Sequence, residues 1–230
     1  MPKGARIGSL IFAAALFCTV ASDSQVRNET PDCLNVVPQG EAFVLAKHRD
    51  KCFRDELGFS QAVTVLSLEK LFGLDPAEIQ FVGCDIAPFG TSIDRTEPEL
   101  HFEILYNSKF DRSGTVIAIF HEIGHVYQLK QTGSHQSLLT SLHQDLQRVE
   151  LGADYLAGFA IGRLRMDEKE FAVGLALVGS YAHQSTPHGL PHERSAAFNY
   201  GDTDGKTHQS LDILYSDFQD NSYGQIMHRW

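Results

Sequence analysis

The feature that most constrains this chain is the motif His-Glu-Ile-Gly-His at residues 121–125. Histidines four residues apart on an α-helix lie one turn apart and about 40° apart around its axis, so both imidazoles can reach one ion. Zinc lowers the pKa of a bound water, and a carboxylate between the two histidines can take that water's proton. The motif therefore predicts a zinc site on a helix, with His121 and His125 as ligands and Glu122 as general base.

The residues around the motif have the pattern of a strand followed by a helix. Residues 115–131 carry apolar side chains at helical spacing, and Asp111 or Ser113 could cap this helix. Residues Leu100–Tyr106 alternate apolar and polar side chains, which is typical of a half-buried strand. We expect this strand to lie at a sheet edge, to border the cleft and to pair with an extended substrate.

A third protein ligand is expected because catalytic zinc has three, with a fourth position open to water. Glu150 and Asp154 are four residues apart in the next helical segment and share a face whose other side chains are apolar. We expect Glu150 to bind the metal and Asp154 to accept a hydrogen bond from the far ring nitrogen of a ligand, His121 in first place. The alternative is a surface salt bridge with one of three arginines, Arg148, Arg163 or Arg165.

The spacing of these residues resembles that of known zinc peptidases. His-Glu-x-x-His followed by Glu-x-x-x-Asp is similar to the gluzincin arrangement of thermolysin-type metallopeptidases. The blocks at 121–128, 150–158 and 188–201 resemble the neutral zinc metallopeptidase family more closely, and the resemblance covers roughly residues 99–201. It implies an α+β, zincin-like fold with a small antiparallel or mixed sheet packed on the active-site helix and a mostly helical C-terminal half.

The block from His188 to Arg194 also resembles a segment of the prenyl-protein and heat-shock membrane zinc proteases. In those proteins a histidine and an arginine six residues later line the substrate cleft. The resemblance suggests that His188 stabilises the developing oxyanion, with Arg194 on the substrate backbone or ordering the loop. Alternatively, His188 is a solvated loop residue, and the competing donors are His183, His192, Tyr155 and Tyr181.

The first 21 residues have the pattern of a secretory signal peptide. Lys3 and Arg6 precede an apolar stretch, Ile7–Val20, and small residues near Ala21 suit cleavage. We expect residues 22–230 to form a single secreted or periplasmic domain without stable membrane insertion, and residues 22–40 to be mobile. The alternative is a retained N-terminal membrane anchor.

The net charge limits the expected partners, and the cysteine content limits the possible disulfides. The formal net charge of −10 repels phosphate backbones, so nucleic acid is not an expected partner. Cys33, Cys52 and Cys84 permit one disulfide in three ways, and the sequence does not choose among them. Four histidines with no patterned partner are expected at the surface: His101, His135, His143 and His208.

The rest of the chain carries weaker patterns. We expect a strand at Ile79–Val82, a strand or a helix start at Ala62–Leu66, and loops at 71–77 and 85–98. The helical segments expected are 41–57, one long helix over 136–163, one from Asp167 to Tyr181, and a short one ending near Gly201, before a polar tail.

These features favour an exported zinc-dependent metallopeptidase that acts on a peptide or protein substrate. One zinc ion would be held by His121, His125 and Glu150, with Glu122 as general base. The alternative is a non-catalytic binding or scaffold protein, in which a fourth protein ligand closes a structural zinc site. A metal-buffering protein is a weaker third hypothesis, because the 11 histidines are scattered.

Overall fold

The structure is a computed structural model that describes residues 52–54, 58–84, 90–94, 101–108, 112–143, 145–167 and 189–227. All of these residues belong to one compact unit, Asp32–Trp230. The predicted signal peptide, the predicted mobile segment 22–40, Cys33, His188 and nearly all of the predicted helix from Asp167 to Tyr181 lie outside the described residues.

Four strands form one mixed sheet in the order β1-β2-β4-β3. β2 and β4 are parallel, while β1 pairs antiparallel with β2 and β3 pairs antiparallel with β4. Their bounds are β1 Cys52–Arg54, β2 Ile79–Cys84, β3 Gly90–Asp94 and β4 His101–Asn107. The expected strands at 79–82 and 100–106 are confirmed, as is the mixed α+β class.

The expectation that the 100–106 strand lies at an edge is wrong. β4 is hydrogen-bonded to β2 on one side and to β3 on the other, so its backbone is already paired. β3 takes the edge position, within a segment expected to be loop. β1 likewise replaces part of the helix expected over 41–57, because residues 52–54 extend beside β2.

Helices make up most of the remaining described chain. The α-helices are α1 Val63–Leu71, α2 Arg112–Thr132, α3 His135–Ser141, α4 Leu146–Leu164, α5 Pro191–Gly205, α6 Leu211–Asp217 and α7 Tyr223–Met227. Two 3-10 turns, Phe59–Gln61 and Pro76–Glu78, flank α1, and a π-helical turn, Phe218–Ser222, joins α6 to α7. Residues 211–227 of the polar tail are therefore helical.

The single helix expected over 136–163 is two helices. The Ser134 side chain caps α3 by accepting a hydrogen bond from the backbone N–H of Ser137. His143 then has a left-handed backbone (φ 59°), and Asp145 starts α4 by accepting from the N–H of Arg148. Because the chain turns here, α3 is short and α4 can take its own direction.

Helix α2 runs through the core rather than along its surface. Every residue from Ile117 to Leu129 is buried, including both histidines and the glutamate of the motif. It packs against β4 and β3 and against α4. A helix that is buried all round must satisfy its polar side chains inside the protein, so partners for those side chains are expected nearby.

Helices α4 and α5 are parallel and touch along their backbones. A Cβ atom at Gly158 would overlap the carbonyl oxygen of Phe198, and one at Gly162 would overlap that of Asp202. On α5 the same holds for Gly201 and Gly205, against the carbonyl oxygens of Tyr155 and Phe159. Glycines spaced four apart on both helices therefore set the distance between the helices.

A disulfide joins Cys52 to Cys84, which are direct partners in the β1–β2 pairing. This settles the pairing that the sequence left open among the three cysteines. Among the described residues, no helix is both long and apolar enough to cross a membrane.

Candidate metal centre

The three side chains predicted as ligands converge. Nε2 of His121 lies 3.1 Å from Nε2 of His125 and 3.2 Å from Oε2 of Glu150. Nε2 of His125 lies 3.6 Å from Oε1 of Glu150. Ligand atoms around one tetrahedral zinc ion are separated by about 3.3–3.6 Å, so these three donors fit a small cation. In the described part of the chain, this is the one group of its kind that could hold a metal.

Two helices position these donors. The histidines lie one turn apart on α2, and Glu150 comes from the first turns of α4. The helices approach closely at Gly124, where a Cβ atom would lie 3.0 Å from the carbonyl oxygen of Ala153. The three ligands are at most 5% exposed. The short helix separation lets a glutamate side chain reach between the two imidazoles.

His121 is held by the carboxylate predicted for it. Its Nδ1 donates to Oδ1 of Asp154 at 2.9 Å, which leaves Nε2 facing the other donors. Burial lowers the pKa of His121, but Asp154 and Glu150 outweigh burial and raise that pKa to about 10. Metal coordination requires the Nε2 lone pair, so a cation would take the place of a proton here.

Asp154 is held in turn by Arg194. Nε and Nη2 of the guanidinium donate to the two carboxylate oxygens at 2.7 and 2.8 Å, and both side chains are buried. Burial raises the pKa of Asp154, but Arg194 and His121 more than offset it and keep that pKa below its usual value. Asp154 is therefore a carboxylate between two donors, and it fixes the ring of His121.

This arrangement bears on two expectations about arginines. Arg194 is buried and bonded to Asp154, while its expected role, on the substrate backbone or in ordering the loop, stays a prediction. On Asp154, a buried pair takes the place of the surface salt bridge weighed as an alternative, because the cation there is Arg194. Arg163 donates to the backbone oxygens of Gly205 and Gln209 instead, and Arg148 lies over the ring of Tyr223.

His125 has a neutral partner that the sequence reasoning missed. Its Nδ1 lies 2.8 Å from Oε1 of Gln128, and both side chains are buried. The amide nitrogen of Gln128 donates to the carbonyl oxygen of Val149 at 2.9 Å, which identifies the atom facing His125 as the oxygen. An acceptor three residues after a ligand histidine, on the same helix face, is a signal that the sequence did contain.

The other candidates are less closely tied to the centre. Glu122 is buried beside the ligands along α2. The Tyr155 hydroxyl donates to Asp204, so it is engaged away from the ligands. His192 is exposed and does not belong to the ligand group. His143 and His208 are exposed and His101 is partly exposed, whereas His183, His188, Tyr181 and the side chain of His135 lie outside the described residues.

The geometry therefore supplies a buried three-donor site that can hold a metal ion, with a hydrogen-bond partner behind each histidine. Comparison of the chain with family models, with curated proteins and with solved structures gave no match. The family resemblance of the motifs therefore stays a prediction, and the function has to be argued from the site itself.

Proposed function

We propose that this protein is an exported zinc metallopeptidase of gluzincin type, with His121, His125 and Glu150 as ligands. The observation that carries the proposal is the ligand group: three buried donors 3.1–3.6 Å apart, with the outer nitrogens of both imidazoles already bonded. Three protein ligands are what catalytic zinc sites have, whereas structural sites are closed by four.

Each residue has a role that follows from its chemistry. When bound, zinc would supply a water of lowered pKa and polarise the carbonyl under attack. Glu122 accepts the proton of the attacking water and passes it to the leaving amine. Asp154 and Gln128 accept from Nδ1 of the ligand histidines and so orient Nε2 towards the metal position, and Arg194 keeps Asp154 ionised. His188 remains the proposed oxyanion donor.

The edge strand β3 is the proposed docking strand for an extended peptide. β3 packs against α2, and in the described residues no strand pairs with its outer side. A peptide that adds to this edge would satisfy its own backbone groups and lie along the helix that carries the ligands. This replaces the docking first expected at β4.

The cross-strand disulfide supports the exported location. Structural disulfides persist in oxidising compartments and are rare in the cytosol. We propose that residues 1–21 direct export and are removed. N-terminal sequencing of the protein recovered from the envelope or medium tests this, and a chain that retains Met1 would favour the anchor.

The function is tested with the full chain and two variants. Metal analysis should find one zinc per wild-type chain, and Glu150→Gln should lose it. Glu122→Gln should keep its zinc but hydrolyse a fluorogenic peptide library at least about 100-fold more slowly, because the general base is gone. Glu78→Gln, which alters a surface pair with Lys130, is the matched control and should behave as wild type.

Each other result has a distinct meaning. A wild-type chain that binds no zinc would overturn the proposal. Undiminished hydrolysis by Glu122→Gln would exclude the mechanism. Tight zinc binding by the wild type without hydrolysis of any peptide would favour the scaffold protein with a retained metal site.

A further inference from the structure

The C-terminal helices contact the metal centre through a polar cluster of Gln128, Tyr215 and Gln219, and the proposed mechanism gives no role to the two residues from these helices. The Gln128 amide nitrogen donates to the hydroxyl oxygen of Tyr215 on α6 at 2.8 Å. The Gln219 amide nitrogen, from the π-helical turn, donates to the same oxygen at 2.8 Å. Gln128 and Gln219 are both buried. The cluster therefore joins the partner of His125 to the segment 211–227.

Helix α4 leaves room for this cluster at Gly152. A Cβ atom there would lie 2.6–2.7 Å from both amide nitrogens and from the Tyr215 hydroxyl. Gly152 lies between Glu150 and Asp154 in the sequence of α4. Any larger residue would displace the cluster. The three polar groups therefore occupy the space that the missing side chain of Gly152 leaves beside the turn that carries Glu150.

The hydrogen-bond directions fix the state of His125. The carbonyl oxygen of Val149 can only accept, so the nitrogen of the Gln128 amide must face it, and Tyr215 accepts the second proton of that nitrogen. The amide oxygen must then face His125, where it can only accept. Nδ1 of His125 therefore carries a proton, so in the neutral ring the lone pair is on Nε2, which faces the ligand group.

We infer that Tyr215 and Gln219 are positioning residues of the metal centre, acting through Gln128 to hold His125 in its coordinating tautomer. The C-terminal helices are then a part of the site rather than an appendage to the fold. Docking of residues 211–227 and metal binding should each favour the other, because such coupling is reciprocal. The inference rests on the metal site of the proposed function, but not on peptide hydrolysis.

The segment offers a matched pair of tyrosines for the test. Tyr215→Phe removes the hydroxyl that holds Gln128. Tyr223→Phe removes an equally short bond, 2.7 Å to Asp145, which anchors the same segment to the start of α4 away from the cluster. Gln128→Met removes the partner of His125 itself at similar side-chain volume. All three are made in the full chain.

Zinc affinity, measured by competition with a chromophoric chelator, should fall in a fixed order. Loss of a group that orients a ligand histidine costs about 10–100-fold in metal affinity, so Gln128→Met should lie in that range and Tyr215→Phe near its lower end. Tyr223→Phe should bind zinc as the wild type does. Equal weakening by the two tyrosine variants, or none by Tyr215→Phe, would overturn the inference.

A spectroscopic readout separates positioning from general loosening. In histidine-labelled protein, the imidazole ¹⁵N shifts of His125 should report a proton on Nδ1 in the wild type and in Tyr223→Phe. They should move towards a mixture of tautomers in Gln128→Met and, less, in Tyr215→Phe. Unchanged shifts in Gln128→Met would overturn the inference. If the wild type binds no zinc, the proposed function fails, while the shifts of the metal-free protein still decide this inference.

Discussion

Two buried carboxylates in different regions of the protein have opposite pKa shifts. Asp154, in the metal centre, is fully buried and keeps a pKa below its usual value. Glu69, on α1, is 1% exposed, and burial together with the nearby charge of Asp75 raises its pKa to about 7. Burial disfavours the charge on both, so the difference comes from what lies beside each group.

The comparison shows how the metal centre keeps its charges inside the protein. Asp154 accepts two hydrogen bonds from Arg194 and one from His121, which compensate its desolvation. Oε2 of Glu69 has no hydrogen-bond partner in the described part of the chain. The first carboxylate is fixed as an anion near neutral pH, whereas the second takes up a proton there.

The largest effect on stability is expected from removing Arg194, the cation that pairs with Asp154 in the metal centre. Arg194→Leu leaves the Asp154 carboxylate buried with only His121 as a donor. Breaking a buried ion pair from one side costs about 3–5 kcal/mol, so the free energy of unfolding in urea should fall by that amount. Arg194→Lys should recover only part of the loss, because an ammonium group cannot bond both oxygens as the planar fork does.

A control for this prediction lies nearer the surface. Lys130 pairs with Glu78 at 2.6 Å, and about a third of each side chain is exposed. Lys130→Met should change the free energy of unfolding by no more than about 1 kcal/mol. If both substitutions cost the same, burial of the Arg194–Asp154 pair does not matter.

The buried carboxyl group of Glu69 should make the free energy of unfolding depend on pH. Glu69 has a folded-state pKa of about 7 against an ordinary value of 4.5, so between these values the folded protein binds more protons than the unfolded chain. Its contribution to stability is then full below pH 4.5 and is lost as the pH rises through 7. Glu69→Gln should be more stable than wild type by about 1–3 kcal/mol at pH 8, and the gap should close by pH 4.5. Urea denaturation at both pH values measures it, and a gap independent of pH would contradict the assignment.

The smallest effect is expected from the like charge beside Glu69. Asp75→Asn removes that charge and keeps an oxygen that can cap the turn at Pro76, where Asp75 accepts from the N–H of Ala77. Since burial is the larger cause of the shift, the Glu69 midpoint should fall by less than about one pH unit. An NMR titration of the Glu69 carboxyl carbon measures this, and a return to an ordinary pKa would make Asp75 the main cause.

Much of the candidate site was predictable because its signals are local. The helix and both histidines follow from one motif, and the placement of Glu150 and Asp154 follows from a four-residue spacing on α4. The hydrogen bond from His121 to Asp154 was predicted and is present. A periodic pattern within one helix indicates which side chains share a face, and that is enough to identify candidate metal ligands on each helix.

The partners that come from distant elements were not predictable in the same way. Nothing in the sequence near Asp154 indicates that Arg194, 40 residues later, supplies its cation. The C-terminal helices dock through Tyr215 and Gln219 as well as apolar groups, so the segment looked like a polar tail. The break between α3 and α4 depends on the left-handed backbone at His143, where the sequence has no glycine or proline to mark a turn.

The glycine contact between α4 and α5 has a consequence for how such a protein can diverge. Because backbone touches backbone at Gly158, Gly162, Gly201 and Gly205, the closest approach of these helices is set at positions that carry no side chain. The metal ligand Glu150, its neighbour Asp154 and the Asp154 partner Arg194 lie at other positions on the same helices. A substitution at one of those positions therefore leaves the glycine contact in place, so the chemistry of the centre and the distance between the two helices can evolve at separate positions.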